Sequence, residues 1–444
     1  MSQPIVAPGR SPRRQAARRL RAAAAMAALA AVSSCSSLTE VQAPDIVTPD
    51  KLETPQGAQA LMAGGLDKFA TAFVSGSGGG QAPFAGVMAD EFTVTLATSE
   101  GDRRVTTDLT SFDRMIHEAR GNLMRAIGSL QRHLPEPASR IGRLFSLVGY
   151  TEIFFAETFC SGVPLSEIRD GEPVIGSPLT TTQMLEQAAK DFDSALVYSA
   201  ADPAMESLAR VGLARALLNL DRPADAAAAV ASVPTSFVYN VEYSSSGPIN
   251  GYADDHLNYR YLTVSDHEGI NGLDFRSAAD PRVPTEYLGV GYDRVTPAYG
   301  FSPFMSLSAP VPLATGIEAR LIEAEAALRA NPNDATTTGT GWLGRLNDLR
   351  ATAITPALPP LADPGTPEAR VDLLFRERAF WLFATGHRLG DLRRLVRQYG
   401  RDTESVFPTG PYGAGGTYGT AVNYVPSRNE LNNPNYTGCL SLGA

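Results

Sequence analysis

The chain has 444 residues, 43% of them hydrophobic, with 38 Lys and Arg set against 47 Asp and Glu for a formal charge of -9. Its 40 glycines and 32 prolines make it loop-rich but leave it short of a disordered composition. Six arginines and no acid fall within residues 1–34, so the remainder holds 32 basic against 47 acidic residues, a net charge of -15; this excludes nucleic acid as a partner, because phosphate binding rests on Lys and Arg.

The arginines Arg10, Arg13, Arg14, Arg18, Arg19 and Arg21 precede an Ala-rich apolar run from Ala22 to Val32. As a helix this run spans about 16 Å, too short for a hydrocarbon core of about 30 Å, so it reads as the apolar part of an export signal. Val32-Ser33-Ser34-Cys35 resembles a bacterial lipoprotein signal, which implies a signal peptide over 1–34 and acylation of Cys35. An ordinary secretory signal with Cys35 incidental is the alternative. Residues 35–53 are polar and proline-punctuated, a tether between lipid and folded protein.

Thr54 and Pro55 open the first helix as N-cap and first helical residue. Ala58, Leu61, Met62, Leu66, Phe69, Ala70 and Phe73 then keep helical spacing until the glycine cluster at 76–80. Residues 81–110 show no period and read as an ordered loop. Thr110 or Ser111 caps a second helix through Met115, Ile116, Leu123 and Leu130, and a third follows Pro137 with Ile141, Leu144, Leu147 and Phe154 inward. Residues 179–197 and 205–220 are amphipathic helices and 224–230 a short one. The segment from Leu208 to Leu220, with Gly212, Ala214 and Ala216 permitting close approach, resembles a tetratricopeptide helix pair. Residues 232–312 lose the helical period and abound in Tyr, Gly, Pro and Asn. Roughly eighty residues of bare loop do not fit a compact domain, so short strands and packed turns are expected there. Helices resume at 316–330 and 341–351, and after a proline-rich connector at 368–385 and 389–399, with Gly386 as a cap.

The fold class is therefore mainly α. Helix pairs of tetratricopeptide type form a scaffold over 54–231 and 313–400, and an irregular loop and short-strand region at 232–312 faces the ligand. The tail, 401–444, is irregular but tied down.

Chemistry-bearing signals are sparse. With Cys35 assigned to lipid, Cys160 and Cys439 remain, either bridged or as two free thiols; export favours the bridge. His117, His133, His256, His267 and His387 lack metal-ligand spacing, and no nucleophile or phosphate-loop motif occurs, so no metal, cofactor or catalytic residue is assigned. Asp254-Asp255-His256 and Asp266-His267-Glu268 leave calcium open. The charged cluster Glu377, Arg378, His387, Arg388, Asp391, Arg393 and Arg394 reads as a register device between two helices. Glu377 and Arg378 are expected to pair across the turn at Gly386. Trp342 and Trp381 read as core. Sugar binding needs flat aromatic faces with hydrogen-bonding neighbours on an ordered surface. From the tyrosines of 232–312 and the acids of 81–110, the candidate ligand contacts are Asp90, Glu91, Tyr252, Tyr259, Tyr261 and Tyr292.

Three segments resemble the SusD/RagB family of outer-membrane lipoproteins. The first runs from Thr48-Pro49 through Thr54-Pro55-Gln56-Gly57-Ala58 to Phe69. The second is Phe155-Ala156-Glu157-Thr158-Phe159-Cys160-Ser161-Gly162-Val163-Pro164-Leu165, a helix end before a Gly-Val-Pro-Leu turn. The third and most specific is the run from Glu377-Arg378 through Trp381-Leu382 and Gly386-His387-Arg388 to Asp391-Leu392-Arg393-Arg394-Leu395, which departs from the family pattern at Thr385, where many relatives carry Glu. The resemblance implies a lipid-anchored outer-membrane protein that captures a nutrient, often an oligosaccharide, and delivers it to a SusC-like TonB-dependent transporter. It brings no cofactor and no catalysis. The rival readings are a tetratricopeptide-type envelope scaffold for protein or peptide partners, and a secreted glycosidase.

Overall fold

The computed structural model describes residues 52–76, 79–96, 104, 112–169 and 172–444. The signal, Cys35, most of the tether and the Thr110/Ser111 cap lie outside the described residues. Among the described residues, no helix is long and apolar enough to cross a membrane.

Helix α1, Pro55–Phe73, starts as its sequence dictates, with Thr54 Oγ1 accepting from Gly57 N at 3.0 Å. After the glycine turn comes α2, Gln81–Met88, then β1, Phe92–Val94. Both lie where a loop was expected. Seven of the eight α2 residues are buried, so the helix has no polar face and shows no amphipathic period. The scaffold proper follows: α3 (Phe112–His133), α4 (Ser139–Thr158), α5 (Thr181–Ser199), α6 (Pro203–Asn219) and α7 (Pro223–Val230). Helices α1 and α3 run antiparallel, since Glu53 meets Arg132 and His133 at one end and Lys68 meets Glu118 nearer the other. Between α4 and α5 the chain forms β2 (Val163–Pro164), β3 (Glu167–Arg169), β4 (Glu172–Val174) and β5 (Pro178–Leu179), paired β2 with β5 and β3 with β4.

Small residues let these helices approach closely. A Cβ on Gly149 of α4 would lie 2.8 Å from the Phe192 ring of α5, and one on Gly212 of α6 would lie 2.1 Å from the same ring. Phe192 is thus held between two glycines, and Tyr150 meets it edge-on at 5.2 Å. The scaffold resumes after the irregular region with α9 (Gly316–Ala330), α10 (Trp342–Thr352), α11 (Pro367–Trp381) and α12 (Arg388–Tyr399), after which α13 (Thr403–Val406) opens the tail. Helix α9 closes against α7, Arg320 donating to the Val230 and Val233 carbonyls. Trp342 is fully buried in a second apolar cluster with Leu321, Leu346 and Leu374, against which Trp381 packs partly buried.

The intervening region holds β6 (Val238–Val241), the short helix α8 (Gly251–Asp254) running into a wider turn at Asp255–Tyr259, β7 (Leu262–Val264), β8 (Thr285–Val290), β9 (Pro297–Phe301) and β10 (Val311–Thr315). Each pairing is an antiparallel ribbon: β1 with β7, β6 with β10, β8 with β9. Cys160 and Cys439 are bonded to each other, their Cα atoms 5.9 Å apart.

The charged C-terminal segment positions this region. Helix α11 ends at Trp381, four residues before the expected end, because Ala384 and Gly386 take left-handed conformations (φ 59° and 76°). The break frees Ala384 N to donate to Glu91 and the Gly386 carbonyl to accept from Gln81 and Arg215. Across this turn Arg378 holds Asp391 through two bonds of 2.8 and 2.9 Å, and Arg394 joins Asp391 to Glu325. Glu377 does not pair across the turn; it accepts from Arg282 and Arg350 on other elements. Arg215 of α6 grips Glu157 of α4, which lies against Gly390, where a Cβ would come within 2.8 Å of its carboxyl carbon.

Candidate functional site

Three of the six candidate residues prove to be interior struts, which corrects their assignment as ligand contacts. Asp90 is 2% exposed and accepts from Arg388 at 2.6 and 2.9 Å and from Leu273 N at 2.9 Å. Glu91 is fully buried, its Oε1 accepting from Ala384 N at 3.1 Å. Burial pushes the Glu91 carboxyl up to about 8, against the pull of the Ala384 amide and Arg388, with Asp90 and Asp391 adding to the rise. Tyr252 is fully buried too, its ring against Phe92 and Phe304 and its hydroxyl donating to the Ala384 carbonyl at 3.1 Å. Together they bind β1 and α8 to the C-terminal turn.

The other three, Tyr259, Tyr261 and Tyr292, meet at the surface. Tyr259 and Tyr261 stack with centroids 5.3 Å apart and planes 14° apart, and Tyr292 meets Tyr261 edge-on at 4.9 Å. Tyr261 is the centre of the group, while Tyr259 and Tyr292 are 41% and 54% exposed. Desolvation, then the Tyr292 and Tyr259 phenols, raise the Tyr261 hydroxyl above its usual range, so it remains a neutral donor at physiological pH.

Local structure builds this cluster stepwise. Asn250 caps α8, accepting from Tyr252 N and Ala253 N. The buried Asp255 carboxylate then accepts from Tyr261 N and Leu262 N, each at 2.9 Å, and its carbonyl from Arg260 N. This closes the wide turn and forces Arg260 to φ 58°. Thr95, directly after β1, ties the two halves together: its hydroxyl donates to the Arg260 carbonyl at 2.7 Å and accepts from Tyr292 N at 3.0 Å. Its backbone N donates to the Tyr261 carbonyl at 2.7 Å. Gly291 is needed here, since a Cβ would lie 2.6 Å from the Thr95 methyl. A second aromatic pair lies on the β8–β9 ribbon, Tyr287 being 60% exposed and 5.3 Å from Tyr299. Exposed Leu257, Val290 and Val295 adjoin the tyrosines in sequence.

The cluster lies at the surface, with Tyr259 and Tyr292 open to solvent. A 350 Å³ groove lined by Pro426, Leu431, Tyr436 and Leu442, and a 610 Å³ one lined by Thr337, Asn347 and Leu361, contain none of these tyrosines. Both lack the stacked aromatic rings that a sugar face packs against. Among the described residues no group of three or more His, Cys, Asp or Glu is arranged to hold a metal. Asn271 and Asp274, also in the irregular region, serve the fold: Asn271 donates to carbonyls of 404–407, and Asp274 pairs with Arg376. Thr95 had no signal in the sequence, because an isolated Thr carries no pattern.

Comparison with solved structures finds this fold among SusD-like proteins. A SusD superfamily protein from Parabacteroides distasonis superposes with a TM-score of 0.66 at 14% identity, covering 89% of this chain and all of its own. One from Bacteroides fragilis gives 0.63 at 14% identity, over 86% of this chain and 99% of that one. The surface glycan-binding protein A from Bacteroides uniformis gives 0.62 at 13% identity, over 87% and 99%. No family model and no curated protein sequence matches the chain. The chain has the SusD-like fold.

Proposed function

We propose that this protein is a nutrient-binding lipoprotein that captures an oligosaccharide at the Tyr259–Tyr261–Tyr292 platform and passes it, unaltered, to a SusC-like TonB-dependent transporter of the outer membrane. Acylated Cys35 holds it there. The observation that carries this reading is the platform itself. Three rings are prearranged by Asp255 and Thr95, with two faces open to solvent, so little ordering entropy is lost on binding. Sugar rings present flat C–H faces and a rim of hydroxyls, which match an aromatic face beside neutral phenol donors. The SusD-like fold, and the glycan-binding designation of the Bacteroides uniformis structure, support the same class of ligand.

Titration of the purified protein against oligosaccharides tests it. Tyr261→Ala removes the central ring while keeping its backbone contacts, and is expected to weaken binding about tenfold or more, as loss of an aromatic anchor does. Its melting temperature should stay close to the parent's. Extraction of the native protein in mild detergent should bring a large β-barrel transporter with it. A lone monomer that binds no oligosaccharide would remove the proposal.

A further inference from the structure

Two arginines adjoin the platform tyrosines in sequence, and no ion pair to a carboxylate is formed by either among the described residues. Arg260 sits in the sequence between the stacked Tyr259 and Tyr261, and Arg294 lies two residues after Tyr292. Elsewhere the chain pairs its arginines readily: Arg282, Arg350, Arg376, Arg378, Arg388 and Arg394 each hold a carboxylate. Arg260 and Arg294 form no such pair, as Arg393, which binds the Ala156 and Phe159 carbonyls, also does not. The Arg260 guanidinium lies over Gly289, where a Cβ would be 3.6 Å from Nη1; Gly289 itself has φ 102° at the β8 bulge. The backbone of Arg260 is fixed by Asp255, Thr95 and Tyr292, so the side chain projects from a rigid base.

None of the acids close by in sequence forms an ion pair with either arginine among the described residues. Asp293, next to Arg294, spends both carboxylate oxygens on its own turn, accepting from Val295 N and Thr296 N at 2.9 Å and from the Thr296 hydroxyl at 2.6 Å. Asp255 is buried and occupied by Tyr261 N and Leu262 N. Glu286 alternates along β8 to the face opposite Tyr287. Both arginines also hold left-handed backbone, φ 58° and 63°, where Gly or Asn costs less.

We infer that the ligand of this platform is an anionic oligosaccharide, its carboxylate or sulfate groups held by Arg260 and Arg294 while its sugar rings stack on Tyr259 and Tyr292. The inference rests on the oligosaccharide reading above and narrows it. A guanidinium presents a planar fork of donors that matches a carboxylate or sulfate with two parallel bonds, so uronic acids and sulfated sugars are the two sources of this chemistry. The strongly acidic body of the protein does not forbid it. At physiological ionic strength, fields are screened beyond about 8 Å, which limits what the distant carboxylates of the body contribute at the platform.

The test uses the full mature chain in detergent on an array of neutral, uronic-acid and sulfated oligosaccharides, followed by titration of the hits. Acidic probes are expected to bind about tenfold tighter than neutral ones of equal length, and to weaken as salt is raised. The variant Arg260→Asn/Arg294→Asn tolerates the left-handed backbone and is expected to erase the acid-over-neutral preference while melting as the parent does. The uronic-acid and sulfate arms tell the two sources apart. Neutral probes bound as tightly as acidic ones, or a double variant that keeps the preference, would overturn the inference and leave the tyrosine platform standing. If Tyr261→Ala left every array signal unchanged, the platform reading would fall, and this inference with it.

Discussion

Burial decides what a carboxylate does in this protein. Asp90 and Glu91 are neighbours, yet Asp90 has Arg388 on both oxygens, whereas Glu91 has a single backbone amide and an Oε2 with no partner. A buried carboxyl with so little support keeps its proton, and its titration shifts up to about 8 from an ordinary 4.5. Between about 4.5 and about 8 the folded state therefore holds a proton that the unfolded chain has released. This site's contribution to stability is greatest below about 4.5, declines as pH rises, and levels off above about 8. Over that span the loss is on the order of several kcal/mol. Glu91→Gln keeps an acceptor for Ala384 N and cannot ionise. Urea unfolding between pH 5 and 8 should show a stability that falls with pH in the parent and is flatter in the variant. Equal slopes would mean that Glu91 is ionised in the folded protein. The same contrast explains Asp391: burial pushes it up, but Arg378 and Arg394 hold it well below the usual carboxylate range.

At the level of elements, helix pairing depends on where side chains are missing. Alanine is a better helix former than glycine by about 0.8–1.0 kcal/mol, so propensity alone favours Gly212→Ala. Sterics oppose it, because the new Cβ would sit 2.1 Å from a Phe192 ring that Gly149 and Tyr150 already confine. Overpacking of this kind costs about 1–3 kcal/mol and should win. Gly121 of α3 has nothing within 4 Å of its would-be Cβ, so Gly121→Ala should gain up to about 1 kcal/mol instead. Chemical denaturation of the two variants should move midpoints in opposite directions, and Phe192→Leu should recover part of the Gly212→Ala loss. Two destabilised variants, or two stabilised ones, would sink this account. The close approach at Gly212 was legible in the sequence, as were helices with one wet face, such as α1 and α5. Helix α2 was not, because burial on nearly every side erases its period. Nor was the early end of α11, which is fixed by partners 290 residues and more away in Gln81 and Glu91. In the site, a tyrosine-rich irregular stretch pointed to the right region. It could not separate Tyr252, which turns inward to Ala384, from Tyr259 and Tyr261 only a few residues later.

For the whole molecule, the tail matters because it returns to the scaffold. After leaving α12 it pairs again with the turn that follows α4: Cys160 N donates to the Tyr424 carbonyl, Leu440 N to the Ser161 carbonyl, and Asn433 to the Gly176 carbonyl. The Cys160–Cys439 bond adds a covalent link across a sequence separation of 279. So long a loop restricts the unfolded chain strongly, and the chain-entropy argument sets an upper value of about 5 kcal/mol for the link. Such bonds form in an oxidising compartment, as an exported chain would meet. Cys160→Ser/Cys439→Ser should therefore lower stability by a few kcal/mol and make residues beyond Tyr436 the first to be cut in limited proteolysis. Oligosaccharide binding should survive at temperatures where the variant is folded, because the platform is fixed by Asp255 and Thr95 and not by the tail's end. A variant as stable as its parent would show that the hydrogen bonds alone hold the tail. A variant that is folded but has lost binding would show that the tail's end helps to shape the ligand face.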